Sequence, residues 1–193
     1  MIDPNFVTNF NRTEEEKEEY LIFCILVAGK KATVQARKLE EFLTESRKQS
    51  ISPFQWIKNK IEKGYNELLI TVMEHKLGQY DRIMGAFKGI IELQGKLSTC
   101  TVEDLEAIKG IGPKTSRFFI LHTRPNQKLA VLDTHVLSHM KEDLGIETPK
   151  STPNGKVYAR LEQQLLEHID KSGMSHADYD LYVWRKRSND GIN

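Results

Sequence analysis

Apolar positions return at helical spacing along most of this chain. After an acidic first turn at 14–19, hydrophobic residues recur every three or four positions at 20–28, as they do on one face of an α-helix. Similar stripes lie at 36–43, 68–73 and 83–91. No segment alternates between apolar and polar positions as a half-exposed strand does. The pattern therefore predicts an all-α fold.

Capping residues and breakers divide this pattern into separate helices. Thr101 with Asp104 three positions later has the form of a capping box, and Pro53 after Ser52 suits the first position of a helix. The apolar run at 129–132 is short and favours a buried extended segment. Further helices are predicted at 32–47, 80–93, 115–123, 134–143, 156–171 and 176–187.

Length and charge narrow the class of protein. A chain of 193 residues suits one domain or two small lobes, and 39% hydrophobic residues suffice for a packed core. The formal net charge is only +1, so the molecule as a whole is not an obvious polyanion binder. No acidic residue occurs between Glu106 and Asp133, however, and this window predicts a locally positive surface. Its basic residues are Lys109, Lys114, Arg117, Arg124 and Lys128.

Cysteine usage and hydropathy indicate the compartment. Cys24 and Cys100 are the only cysteines, too few for a thiolate cluster or a cysteine-rich zinc site. No apolar run is long enough to cross a bilayer, and the N-terminus lacks the features of a signal peptide. We therefore expect a soluble intracellular protein that does not interact with membranes. A monomer is also predicted.

The segment 109–115 predicts a glycine hairpin that opens a helix. Gly110 and Gly112 flank Ile111, which would anchor the turn in the core. Glycine permits positive φ and leaves no Cβ between the backbone and a ligand. Pro113 suits the first helical position, where free backbone N–H groups can bind a phosphate. A simple turn between two helices remains the alternative.

Lys114 and Asp133 could form a reactive pair, since each begins a helix and they are separated by one helix and a turn. The helix dipole disfavours an ammonium in the first turn and so favours the neutral, nucleophilic amine of Lys114. A lysine that only contacts phosphate is an equal alternative. Asp133 alone would be interpreted as a helix N-cap.

These segments resemble the helix-hairpin-helix DNA glycosylase superfamily, which includes endonuclease III. The resemblance rests on IKGIGPKT at 108–115 and VLDTHV at 131–136, in that order and spacing. It implies two helical lobes with an interlobe cleft and a helix-hairpin-helix motif at 101–123. The barrel lobe would span 14–128, and 1–13 with 129–193 would form the second lobe.

In relatives with lysine at the position of Lys114, the amine attacks C1′ of an extruded nucleotide. The resemblance implies that Asp133 activates Lys114 and stabilises positive charge on the sugar, and that β-elimination then cuts the strand. It also implies a DNA-binding hairpin, with a monovalent cation on its carbonyls as in relatives. The DNA contacts expected there are Lys109, Gly110, Ile111, Gly112, Thr115 and Arg117.

The C-terminal region suggests the substrate. The segment DYDLYVW at 178–184 and the small size are similar to compact prokaryotic and archaeal 8-oxoguanine glycosylases. The cysteine loop that holds an iron–sulfur cluster in endonuclease III has no counterpart here, so no such cofactor is expected. Tyr179, Tyr182 and Trp184 could stack on a base, although aromatic residues at helical spacing more often belong to the core.

His135 and His139 have the spacing of a metal pair on one helix, but no third ligand is evident. A structural role for His135 and a surface role for His139 are expected instead of zinc binding, and no metal site is predicted.

The predicted function is a bifunctional DNA glycosylase and abasic-site lyase acting on double-stranded DNA with a damaged base or abasic site. Oxidised purine, 8-oxoguanine in particular, is the first substrate expected and oxidised pyrimidine the second. A non-catalytic helix-hairpin-helix DNA-binding protein is the alternative from another class. In a prokaryote the enzyme would be cytoplasmic and associated with the nucleoid.

Overall fold

A computed structural model describes residues 2–187, which form helices joined by loops with no strand among them. The all-α prediction is confirmed. In this part of the chain, no helix combines the length and apolar character that a membrane span requires. The helices are α1 (Glu14–Leu26), α2 (Ala32–Phe42), α3 (Thr44–Lys48), α4 (Pro53–Lys63), α5 (Tyr65–Glu74), α6 (Tyr80–Glu92), α7 (Val102–Glu106), α8 (Pro113–Thr123), α9 (Thr134–Glu142), α10 (Gly155–Ser172) and α11 (His176–Arg187).

The first compact unit contains α1 to α7. Helix α1 is its central element, because residues 20–26 are almost completely buried. Helices α2, α4 and α6 pack directly against it. The predicted helix at 32–47 is divided at Leu43 into α2 and α3. The capping boxes at Thr13 and Thr101 begin α1 and α7, and the one at Thr101 was predicted.

The second unit contains residues 8–10 and the chain from Gly112 onward, with α8 to α11. Helix α11 packs against α8, α9 and α10 and so organises this unit. Its core joins the apolar faces of α9 and α10 to Tyr179 and Val183 of α11.

The division between the units lies after Ile111, not after residue 128 as the family pattern implied. The reason is packing: α8 contacts α11 and therefore belongs to the second unit. At the N-terminus, residues 2–7 and 11–13 belong to the first unit and only 8–10 to the second. Met1 and 188–193, which the predicted second lobe included, lie outside the described residues.

Candidate active site and hairpin

Gly110 is required by the local geometry of the first unit. Its φ is +97°, and a Cβ at this position would lie 2.4 Å from the carbonyl oxygen of Arg82. The Arg82 guanidinium also donates a 3.1 Å hydrogen bond to the Gly110 carbonyl. Ile111 is buried, as predicted, and its N–H donates to the carbonyl of Ile108 at 3.0 Å. The hydrogen bond from Arg82 and the burial of Ile111 therefore hold the turn in place.

The contacts of Arg82 bear on the monovalent cation that the family implies. The guanidinium donates to the carbonyls of both Ile25 and Gly110, so a fixed positive charge already lies beside this turn. A second cation on the Gly110 carbonyl would be repelled by it. The Gly110 carbonyl does not fit a cation site, and a cation elsewhere on the hairpin stays a prediction.

Gly112 occupies a different environment at the start of α8. Its φ and ψ are −109° and −179°, extended values open to any residue, and it is the N-cap of the helix. A Cβ here would meet nothing within 4 Å. The protein itself therefore does not require glycine, whereas a ligand that approaches the backbone closely would.

Only some of the predicted DNA contacts have side chains available. Lys109 is exposed. Thr115 is buried and its N–H donates to the Gly112 carbonyl at 3.0 Å, so the prediction of a DNA contact by Thr115 is not supported. Ile111 anchors the turn from the core.

Arg117 is an internal structural residue, which corrects its predicted role in DNA binding. Its Nε lies 2.8 Å from Oε1 of Glu162, and its guanidinium covers the ring of Tyr158 at 4.5 Å. Both charged side chains of the ion pair are largely buried. A guanidinium neutralised in this way is not available to a phosphate.

Lys114 lies in the first turn of α8 and is half-buried. Its Nζ is 4.6 Å from the centre of the Phe118 ring, one helical turn further along. This contact holds an ammonium without neutralising it. The amine therefore has a defined position and remains partly open to solvent.

Asp133 is the N-cap of α9, as predicted: its Oδ1 accepts a 2.9 Å hydrogen bond from the N–H of Val136. Burial raises the pKa of its carboxyl group, and the positive charge of Lys114 is the largest opposing influence. The carboxylate of Asp180 raises that pKa further. The charge of Lys114 therefore acts on the Asp133 carboxyl group within the second unit, and the role of these two residues as a reactive pair stays a prediction.

Residues 129–132 carry Asp133 into the site as a segment outside any helix, with Leu129 half-buried and residues 130–132 buried. Side chains of α10 form hydrogen bonds with the backbone groups of this segment. Glu162 Oε1 accepts from the Ala130 N–H at 3.1 Å. The Tyr158 hydroxyl accepts from the Leu132 N–H at 3.1 Å and donates to the Ala130 carbonyl at 2.8 Å. Sequence reasoning missed both residues, because their place on an amphipathic helix does not distinguish them from ordinary packing residues.

The three predicted base-pocket aromatics have different environments. Tyr179 is only 4% exposed, and its hydroxyl lies 2.7 Å from Nε2 of His139, so the core alternative applies and the base-pocket assignment of Tyr179 is corrected. Tyr182 is 45% exposed. Trp184 is half-buried. Only the last two have ring surface available for a base.

His139 is buried, and the expectation that it lies on the surface is wrong. Its Nδ1 is 2.6 Å from Oδ2 of Asp143, while Nε2 meets the Tyr179 hydroxyl. Burial lowers the pKa of His139. His135 is half-buried. Among residues 2–187, no group of three or more histidine, cysteine or acidic side chains is arranged to hold a metal ion.

Comparison with known proteins shows which proteins this chain is similar to. A curated relative, an 8-oxoguanine DNA glycosylase/AP lyase of Methanocaldococcus jannaschii, is 24% identical over 182 residues, or 92% of this chain and 83% of the relative. The crystal structure of the Thermotoga maritima 8-oxoguanine DNA glycosylase has a TM-score of 0.68 and 26% identity, covering 91% of this chain and 81% of that one. The M. jannaschii 8-oxoguanine glycosylase/lyase bound to a 15mer DNA containing 8-oxoguanine has a similar fold, with a TM-score of 0.64 and 24% identity over 92% of this chain and 83% of that one.

The helical fold and its similarity to these enzymes define a protein of the helix-hairpin-helix glycosylase class. The sequence profile of the 8-oxoguanine DNA glycosylase family matches residues 4–174, and the chain belongs to that family.

Proposed function

We propose that this protein is a bifunctional DNA glycosylase and abasic-site lyase that removes 8-oxoguanine from double-stranded DNA. The family match over residues 4–174 carries this proposal, and the influence of the Lys114 charge on the Asp133 carboxyl group supports the roles given to these two residues. Membership of the 8-oxoguanine DNA glycosylase family and the names of its relatives support the substrate.

The chemistry begins with extrusion of the damaged nucleotide, because C1′ cannot be reached inside the duplex. Asp133 accepts a proton from the Lys114 ammonium, and the free amine attacks C1′. The bond from C1′ to the base breaks, and its electron pair leaves with the base, which takes up the proton held by Asp133 and leaves Asp133 ionised again. The negative charge of Asp133 stabilises the positive charge that develops on the sugar.

The covalent intermediate then rearranges to a Schiff base between Lys114 Nζ and C1′. Loss of a proton from C2′ and cleavage of the C3′–O bond expel the 3′ phosphate, which cuts the strand. Hydrolysis of the imine regenerates the amine. The raised pKa of Asp133, caused first by burial, makes it a better proton acceptor from Lys114 than an ordinary aspartate.

Lys109 and the open backbone at Gly112 would contact the DNA strand, while Trp184 and Tyr182 would offer ring surface to the extruded base. We propose that the protein acts as a monomer. In a prokaryote it would work in the cytoplasm, on nucleoid DNA.

Borohydride trapping tests the nucleophile. With a duplex that contains 8-oxoguanine, wild-type protein is expected to form a covalent adduct, and Lys114→Gln is expected to reduce it at least 100-fold, because Gln has no nucleophilic nitrogen. Lys109→Gln is the matched control, since it removes the neighbouring lysine and should retain trapping at saturating protein. An unchanged adduct in Lys114→Gln would assign the nucleophile to another residue.

The same assay separates the alternatives. A panel of single-lesion duplexes identifies the damaged base, and preferred trapping on an oxidised pyrimidine would favour the second substrate. Base release without strand cleavage would indicate a glycosylase that does not use lysine. Binding without an adduct on any lesion or abasic site would favour the non-catalytic DNA-binding protein.

A further inference from the structure

His122 is a completely buried histidine with polar partners on both ring nitrogens. Its side chain is 0% exposed. Nδ1 lies 2.7 Å from the Thr8 hydroxyl, and Nε2 lies 3.0 Å from Oδ2 of Asp180. An ionised carboxylate can only accept a hydrogen bond, so Nε2 is the donor to Asp180. The imidazole therefore joins the segment 8–10, α8 and α11 inside the second unit.

The same ring supports the contact that holds Lys114. Lys114, Phe118 and His122 follow one another at intervals of four along α8, so they share one face of the helix. The Phe118 and His122 rings meet edge-on with centres 4.8 Å apart. The Lys114 ammonium lies on the Phe118 ring. A continuous line of contacts thus runs from the amine to the Asp180 carboxylate.

Asp180 in turn affects the pKa of the Asp133 carboxyl group. The Asp180 side chain is only 12% exposed, so water screens its charge weakly. It contributes to the raised pKa of Asp133, whose largest cause is burial. Lys114 of α8 and His135 of α9 act in the opposite direction and lower the pKa of Asp133. Asp180 also contributes to the raised pKa of Tyr158 of α10, whose largest cause is burial. The Tyr158 hydroxyl accepts the hydrogen bond from the Leu132 N–H.

We propose that Thr8, His122 and Asp180 form a positioning network for the reactive pair. His122 holds the Asp180 carboxylate through the 3.0 Å contact at Nε2 and supports the Phe118 ring under the Lys114 amine. The negative charge of Asp180 makes Asp133 a stronger base toward the Lys114 ammonium. Asp180 and His122 thereby determine the pH range of base excision. This network rests on the proposed roles of Lys114 and Asp133.

The chain provides a matched control for a purely structural role. His139 is also a buried histidine of the second unit, with an acidic partner at Nδ1 and a hydroxyl at Nε2. It anchors Tyr179, the residue just before Asp180 on α11. Its acidic partner, Asp143, is not among the groups with the largest effect on Asp133. His139→Asn and His122→Asn should therefore destabilise the fold to a similar extent, but only His122→Asn should slow the trapping reaction.

The test is the pH dependence of the single-turnover trapping rate on an 8-oxoguanine duplex. Asp180→Asn keeps the shape of the side chain and removes its charge, so the acidic limb of the rate profile should move to lower pH by about one unit. At a fixed acidic pH on that limb, the rate should rise about tenfold. Asp180→Glu should restore the wild-type limb. His122→Asn, which loses the bond to Asp180, should lower the plateau rate at least tenfold, and His139→Asn should leave it within twofold.

Titration of the Asp133 carboxyl carbon by NMR gives a readout that does not need catalysis. Its apparent pKa should fall in Asp180→Asn and stay at the wild-type value in His139→Asn. An unchanged pKa or an unmoved acidic limb in Asp180→Asn overturns the network. Absence of any adduct in the wild type would overturn the proposed function instead, and the NMR titration would still decide whether Asp180 acts on Asp133.

Discussion

Asp133 is placed where its ionised form is costly. The residue caps α9 through the Val136 N–H, a role that a neutral side chain could fill equally well. Burial nevertheless raises the pKa of its carboxyl group, with a further contribution from Asp180. Such destabilised ionisable groups are frequent at reactive sites, where the perturbed pKa serves proton transfer.

Replacing Asp133 with Asn should therefore separate stability from activity. Asn retains the cap and removes the buried charge, while the half-exposed Lys114 keeps its contact with Phe118. Because the folded-state pKa of Asp133 lies above its ordinary value of 3.8, its cost to folding is absent in acid, grows as the pH rises to the folded-state pKa, and is complete above it. Asp133→Asn should melt about 2–4 °C higher at neutral pH, equivalent to about 1 kcal/mol, and lose excision at least 100-fold.

Calorimetry and trapping across pH 4–8 measure both effects. The gain in melting temperature should vanish toward the acidic end of this range. A lower melting temperature at neutral pH would mean that the attraction of Lys114 outweighs the cost of burial.

At the level of elements, the site depends on a segment that is not itself a helix. Residues 129–132 have no helical hydrogen bonds of their own, and Glu162 and Tyr158 of α10 provide partners to their buried backbone groups. Arg117 of α8 neutralises Glu162 from the other side. One buried ion pair therefore links the helix that carries Lys114 to the segment that ends at Asp133.

The two hairpin glycines should respond differently to alanine. Gly110→Ala adds a Cβ 2.4 Å from the Arg82 carbonyl oxygen at a positive φ, so it should destabilise the protein by about 1–3 kcal/mol from the backbone alone. Gly112→Ala meets open space, should change stability by less than about 1 kcal/mol, and should weaken DNA binding about tenfold. Thermal melts and titrations with a labelled duplex distinguish the two. Equal DNA binding by Gly112→Ala and wild type would argue against close approach of a phosphate.

Across the whole molecule, local chemistry could be predicted from sequence better than long-range pairing. Periodicity and caps gave the all-α class, the helix starts at Val102 and Pro113, and Asp133 as an N-cap. The prediction of a positive surface at 107–132 was less accurate, because acidic residues of the distant helix α10 pair with two of its cations. Glu162 neutralises Arg117, and Asp170 pairs with Lys128. Such pairings depend on how α10 packs, which spacing along the chain does not reveal.

The distribution of paired and exposed cations should determine how DNA binding depends on salt. With a net charge of +1, the protein must obtain phosphate contacts from individual exposed lysines, each of which contributes about 0.9 to the slope of log K against log salt. Lys109 is exposed beside the hairpin, so Lys109→Ala should reduce that slope by about one. Lys128→Ala removes the same charge from a lysine that is also exposed. Because Lys128 Nζ lies 3.0 Å from Oδ2 of Asp170 and is already paired with it, the slope of Lys128→Ala should match that of the wild type. Fluorescence anisotropy between 50 and 300 mM salt provides the measurement. Equal slopes for Lys109→Ala and Lys128→Ala would show that Lys109 does not contact the DNA backbone.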